Sequence, residues 1–384
     1  MESENKIKTS LDYVLRFIFG SVFLFSGFVK TVDPMGTAYK IEEYMNVFGF
    51  QFLVDFAGWL PLMLSILLCV LEFMVGAMMF LHIYRKPARI IATCFMVFFT
   101  ITTLIDALTN KVTDCGCFGD AVKLTNWQTF WKNVALDVVL VGIFLFDTKK
   151  KEDYSRLAPC IALIAILLGI TIFSIRNIMY EPVIDFRPWK IGNKMAPTIE
   201  EQQPPITYAT YKNIKTGEEK EFSMAAEGEN TLMEAYEKDP QFSEHWTYVD
   251  GKNRVVGTNT VAADGFSLTA LESRDDESLE LLGDTTVDLY MLAVWNMDLA
   301  SDEGMKRAVK YLEKLTNTNS NIILVTASTS SKWLEFQEKY DLGQYMFYSC
   351  DDKAIKAMIR SNPGIVHMKN TIVKEKLAWR NLSK

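Results

Sequence analysis

The chain has little of what most soluble catalytic sites need. Its 384 residues include three histidines, His82, His245 and His367, with no His-x-x-x-His spacing. It has six cysteines and only one close pair, so a tetrahedral zinc set cannot be completed from a second pair. No glycine-rich phosphate loop and no Gly-x-Ser-x-Gly elbow occurs, which leaves nucleotide-dependent and hydrolase chemistry without support. Positive charge is also short. The net charge of −7 argues against nucleic acid as a partner. With 49% hydrophobic and 23% charged residues, the chain is neither disordered nor a disulfide-rich mini-domain.

The composition is unevenly spread. Residues 1–180 carry 16 Lys and Arg against 15 Asp and Glu, whereas residues 181–384 carry 24 against 32. Long uncharged apolar runs occur only in the first part. A bilayer-spanning helix needs ~20 mostly apolar residues. Five segments qualify, at about 11–32, 59–83, 88–108, 128–147 and 157–179. The first is read as a retained helix rather than a signal peptide, because Lys30, Asp33 and Pro34 stand where a small-residue cleavage site would be. Lys6 and Lys8, then Arg85, Lys86 and Arg89, then Lys149, Lys150, Lys151 and Arg156 alternate with less basic connections. Basic connections stay in the cytoplasm. Five crossings then place the acidic C-terminal region outside, in the periplasm of a two-membrane bacterium. The expected location is the bacterial inner membrane, with membrane lipid as a partner.

Three cysteines, Cys69, Cys94 and Cys160, fall within spans and read as apolar filler, and Cys350 reads as a core or strand residue. Cys115 and Cys117 differ. They lie in the loop Asp114-Cys115-Gly116-Cys117-Phe118-Gly119-Asp120, on the oxidising side of the membrane. A disulfide closed across one glycine forms a small, strained ring, which suits an exchangeable bond. A passive loop staple, two unpaired thiols and half of a metal site are the competing readings. The flanking Asp114 and Asp120 disfavour a strongly activated thiolate.

Ionisable groups inside a bilayer are costly and by default functional or paired. Arg16, Lys30, Glu72, Asp106 and Asp137 all fall within or at the ends of the spans. Glu72 could relay protons or bind a quinone headgroup. It could equally be half of a buried pair that fixes helix packing, for instance with Lys30. Gly20, Ser26, Gly27 and Gly76 are small residues that permit close helix contact.

These residues carry a resemblance. The run from Arg16 to Pro34, RFIFGSVFLFSGFVKTVDP, looks like the opening signature of DoxX-type membrane proteins, and Glu72-x-x-x-Gly76 fits the same pattern. The loop Cys115-Gly116-Cys117-Phe118-Gly119 is similar to the MauE branch of that superfamily. The resemblance covers roughly 8–150. It implies a four-helix membrane module for electron or thiol transfer. DoxX proteins are similar to a subunit that passes electrons from a sulfur substrate to quinone. MauE proteins are implicated in forming disulfides in a partner enzyme. Site residues implied in this way are Cys115 and Cys117 for chemistry, with Glu72, Arg16, Lys30 and Asp137 around a quinone. No metal and no covalently bound cofactor are expected.

The remaining chain reads as a multi-domain continuation. Residues 1–150 form the helical membrane core, 151–180 a fifth helix, 181–284 a linker and small α+β region, and 285–384 an α/β domain. The proline-rich stretch 181–205 reads as a linker or stalk. Strands are expected at 206–213 and 220–225, a helix at 228–239, and a hairpin around Asp250-Gly251. From 287 onward, apolar strands alternate with amphipathic helices, and two strands follow Pro363. This order is similar to a thioredoxin-like fold, with Asn362-Pro363 at the position of that fold's cis-proline. The Cys-x-x-Cys is missing, since Trp295 is followed by Asn296, Met297, Asp298 and Leu299. Two functional readings follow. One is a membrane redox protein, of thiol:quinone oxidoreductase type or an accessory subunit, that serves a periplasmic thiol protein. The other is a non-enzymatic scaffold whose exported domain binds a partner protein.

Overall fold

In a computed structural model of the chain, the described residues are 2–112, 116–147, 157–202, 206–224, 230–254, 260–263, 265–270, 273–316 and 318–383. They fall into two compact units, 1–187 and 188–384. Cys115, and with it one half of the expected cysteine pair, lies outside the described residues, as do Lys149, Lys150, Lys151 and Arg156.

The first unit is all helix: α1 (Glu2–Val32), α2 (Pro34–Val47), α3 (Gln51–Phe56), α4 (Leu60–Phe80), α5 (Arg85–Thr109), α6 (Asn126–Phe146) and α7 (Leu157–Met179). Five of them, α1, α4, α5, α6 and α7, are long and apolar enough to cross a membrane. Their outward faces carry exposed Phe98, Ile101, Leu108, Val138, Leu145 and Ile172. So much bare apolar surface would be a liability in water, but it is the ordinary covering of a helix in hydrocarbon. The chain is a multi-pass membrane protein.

Close packing holds α1 against α4. A Cβ on Gly27 would lie 2.5 Å from the Phe73 backbone N, and one on Gly76 would lie 2.5 Å from the Leu24 backbone N. The two helices therefore touch backbone to backbone. Phe19, Phe23, Val75, Met79, Met96 and Ile143 fill the bundle core. Helix α6 opens with a capping box, in which Thr125 and Gln128 satisfy each other's backbone N–H groups.

The connection at 33–58, between the first two spans, holds two further helices, α2 and α3. Asp33 caps α2 by accepting from Gly36 N at 3.0 Å, and Pro34 takes the first helical position, where its missing N–H costs nothing.

The second unit contains β1 (Ile206–Asn213), β2 (Glu219–Ser223), α8 (Leu232–Lys238), α9 (Phe242–His245), β3 (Trp246–Arg254), β4 (Thr269–Ala270), α10 (Ser278–Gly283), β5 (Asp288–Val294), α11 (Asp302–Glu313), β6 (Ser320–Thr326), α12 (Ser330–Tyr340), β7 (Met346–Ser349), α13 (Asp352–Met358), β8 (Gly364–Lys369) and β9 (Ile372–Ala378). A three-stranded sheet has the order β2-β1-β3, and a six-stranded sheet the order β4-β7-β6-β5-β8-β9. Strands β5, β6 and β7 run parallel, and β8 pairs antiparallel with both β5 and β9. Both faces of this sheet are covered. Met291, Val325, Ile355 and Val366 pack on one side, and Leu292, Leu324, Leu312 and Trp333 on the other. Burial on both faces is why β5 reads as one continuous apolar run.

Two local expectations change. The run around Asp250-Gly251 does not turn. It continues as strand β3, and Gly251 lies opposite Ala209, with a bulge absorbing one extra residue. The proline-rich stretch is not a free stalk over its described part, because Trp189 and Met195 are fully buried in the sheet's core. The Asn362-Pro363 bond is cis.

Candidate functional site

Helices α1 and α4 run antiparallel, so the end of α1 that carries Lys30 meets the middle of α4. There Lys30 Nζ donates to Glu72 Oε2 at 2.6 Å and to Ser26 Oγ at 3.2 Å. Both charged side chains are almost fully buried. Burial of two ions is tolerated only when they pair at good geometry. The Phe99 ring lies 5.2 Å from the Lys30 ammonium and adds a cation–π contact.

The Cys-Gly-Cys loop docks onto this pair. Ser26 Oγ donates to the Cys117 carbonyl at 2.7 Å. Gly116 and Gly119 adopt positive φ of 64° and 51°, and Gly119 N donates to Gly116 O at 3.0 Å to close the turn. Glycine takes that left-handed conformation without steric cost. Phe118 holds the loop in place from two sides, against Phe25 at 5.5 Å and beneath Lys132 at 4.6 Å. Cys117 thus comes within electrostatic reach of the Lys30 ammonium.

A cavity of about 550 Å³ opens beside these groups. Lys30, Thr103 and Cys117 line its inner end, and Lys40 and Tyr44 of α2 cover it. Tyr44 Oη donates to Asp106 Oδ2 at 2.5 Å, which ties α2 to α5. The remaining walls are mostly leucine and phenylalanine side chains of α4, α5 and the α2–α3 connection. The volume falls within the range of small-molecule sites, roughly 300–1,000 Å³, and a few polar groups in an apolar wall are the usual makeup of one.

The expected site residues divide. Lys30, Glu72 and Cys117 come together. Arg16 does not join them, for it lies 14 residues earlier on α1, ~21 Å along the axis at 1.5 Å per residue. There it pairs with Asp12 at 2.7 Å and Asp147 at 3.3 Å, and Arg89 also holds Asp147, at 2.5 Å. Asp137 sits in the α5–α6 seam and accepts from Thr100 Oγ1 at 2.7 Å. Its partner is a neighbouring helix, and it does not line the cavity.

Cys69, read from the sequence as filler, is fully buried beside Ser65, within reach of the same Lys30–Glu72 pair. A cysteine in an apolar run gives no signal of this, although its position one turn before Glu72 places both on one face of α4. Lys40 and Tyr44 were missed because the connection after the first span was given no helix of its own. Cys350, in the second unit, is buried, and burial pushes its thiol up to about 12, which makes it inert at neutral pH. Among the described residues, no group of three or more His, Cys, Asp or Glu could hold a metal ion.

Residues 8–147 match the family model described as Methylamine utilisation protein MauE. No curated protein matches the chain. The matched segment contains α1 to α6 and the Cys-Gly-Cys loop.

Proposed function

We propose that this is a thiol-redox protein of the bacterial inner membrane, in which Cys115 and Cys117 alternate between dithiol and disulfide and exchange electrons with a membrane quinone. The observation that carries the reading is Cys117 at the wall of the cavity that Lys30 also lines. Oxidation of the pair joins the two sulfurs and releases two electrons and two protons. A quinone supplies the acceptor for both and becomes the hydroquinone. The residues present fit such a ring: the cavity is large enough, its walls are largely aromatic and aliphatic, and the Lys30 ammonium, with three N–H groups, is the donor at its inner end. The Lys30–Glu72 pair lies within electrostatic reach of Cys117 and can carry a proton.

The match to MauE and the DoxX-like opening of α1 support this assignment of the 1–150 region. Leu157–Met179 is the fifth of its long apolar helices. The partner is a periplasmic thiol protein. Within 181–384 we assign a thioredoxin-like domain at 285–384. Support comes from the order β6-β5-β8-β9, with β5 and β6 parallel and β8 antiparallel.

The second reading, a membrane-anchored scaffold, is favoured by one observation. The segment after Trp295 has no cysteine, and Asn296 Oδ1 instead accepts from the backbone N–H groups of Asp298 and Leu299. Thiol trapping separates the two readings. Cells are quenched with acid, free thiols are alkylated, and wild type is compared with Cys115→Ser and Cys117→Ser. The redox reading expects an oxidised fraction that shifts when quinone is depleted, and altered disulfides in a partner of either mutant. A pair that holds one redox state throughout, in cells whose other disulfides are unchanged, leaves the scaffold reading.

A further inference from the structure

We infer that the cavity beside Cys117 takes its ligand sideways from the bilayer, between α4 and α5, and that the ligand is a lipid-dissolved ring with a long apolar tail. This deepens, and rests on, the thiol–quinone reading.

The two ends of the cavity differ in kind. The inner end is polar and closed, for Lys30 and Thr103 are both buried there. The other end is formed by Leu67 and Leu71 of α4, Phe98 of α5, and Phe48 and Phe50 from the α2–α3 connection. All five of these side chains are exposed. An opening edged by leucine and phenylalanine alone offers nothing to a water-borne ligand. Depth supports the same conclusion. Leu67 and Leu71 lie 7 and 11 residues into α4, so ~10 and ~16 Å from its first residue at 1.5 Å per residue. Phe98 lies 11 residues before the end of α5, a matching ~16 Å. A hydrocarbon core ~30 Å thick therefore covers this opening.

One occupant satisfies both ends. A carbonyl- or hydroxyl-bearing ring can accept hydrogen bonds beside the Lys30 ammonium, and its tail can leave past Leu67, Leu71 and Phe98 into the lipid. A small polar acceptor would satisfy the closed end only. A phospholipid acyl chain would satisfy the mouth and set only hydrocarbon against the polar end.

The test uses the full chain in vesicles and an azido-substituted benzoquinone with a decyl tail, photolysed and mapped to peptides. Labelling is expected on α4 and α5. Leu71→Trp, which fills the mouth, should reduce it at least fivefold. Val138→Trp, on the exposed face of α6, should leave it intact and so report folding. A decyl-tailed quinone should displace the label at least tenfold more effectively than its tail-less analogue. Equal labelling of wild type and Leu71→Trp overturns the inference. So does labelling that neither quinone displaces, which marks partition into lipid, or equal displacement by both. Labelling that depends on Leu71 while the cysteines stay redox-inert would instead leave the site standing and remove the thiol reading.

Discussion

At the scale of single residues, the Lys30–Glu72 pair decides most. Each ion is buried, and each is tolerable only because of the other. Removing one partner leaves an uncompensated charge in the bundle, a loss of roughly 3–5 kcal/mol. Lys30→Met should therefore lower the unfolding temperature of the detergent-solubilised chain clearly. Lys30→Met combined with Glu72→Leu should recover most of the loss, because two apolar side chains replace a satisfied pair. A double variant no more stable than the single one would show that the pair's hydrogen bonds matter more than its charge balance. This pair was legible in the sequence, since charged groups in apolar spans are costly enough to demand a partner. Arg16 and Asp137 obeyed the same rule, but each found its partner elsewhere, Arg16 with Asp12 and Asp147 and Asp137 with Thr100. A linear chain shows which residues need partners. It does not show which partners the helix packing supplies, and Cys69 had nothing in its surroundings to mark it.

At the scale of elements, the legible parts are those whose local chemistry leaves one choice. The strands and helices from 288 to 378 follow from apolar runs covered on both faces, and the bundle from five long apolar segments. One element was not foreseen and one was misread, each for a physical reason. Asp33-Pro34 is as much a helix start as a loop, and the carboxylate of Asp33 bonded to Gly36 decides for the helix. Asp250-Gly251 is a common hairpin turn, yet pairing with β1 keeps it extended, and the Tyr248 hydroxyl lies where a Cβ on Gly251 would be. The α1–α4 contact offers a direct check. A methyl group at Gly76 would stand 2.5 Å from the Leu24 backbone N, so Gly76→Ala must push two helices apart. Overpacking of this kind costs ~1–3 kcal/mol. Gly169→Ala in α7, with nothing within 4 Å, should be neutral or slightly stabilising. Thermal unfolding of both variants in one detergent makes the comparison, and equal stability of the two would mean that α1 and α4 are not in backbone contact.

At the scale of the whole molecule, direction across the membrane governs whether the proposed chemistry is available. An odd number of crossings, five candidate spans among the described residues, would put the segment before α1 and the second unit on opposite sides. Arg16, Arg85 and Arg89 gather at one end of the bundle around Asp12 and Asp147, while the Cys117 loop stands at the other end with Lys30. Basic ends face the cytoplasm. The proposed orientation puts the loop and the second unit in the oxidising compartment, the only side on which a disulfide between Cys115 and Cys117 would persist. Alkaline phosphatase, which folds only where its own disulfides form, reports this. Fused after the last residue, it should be active. Fused in the connection between α4 and α5, it should be inactive. The reverse pattern would place the cysteine loop in a reducing compartment and remove the chemical basis for an exchangeable disulfide, whatever the cavity binds.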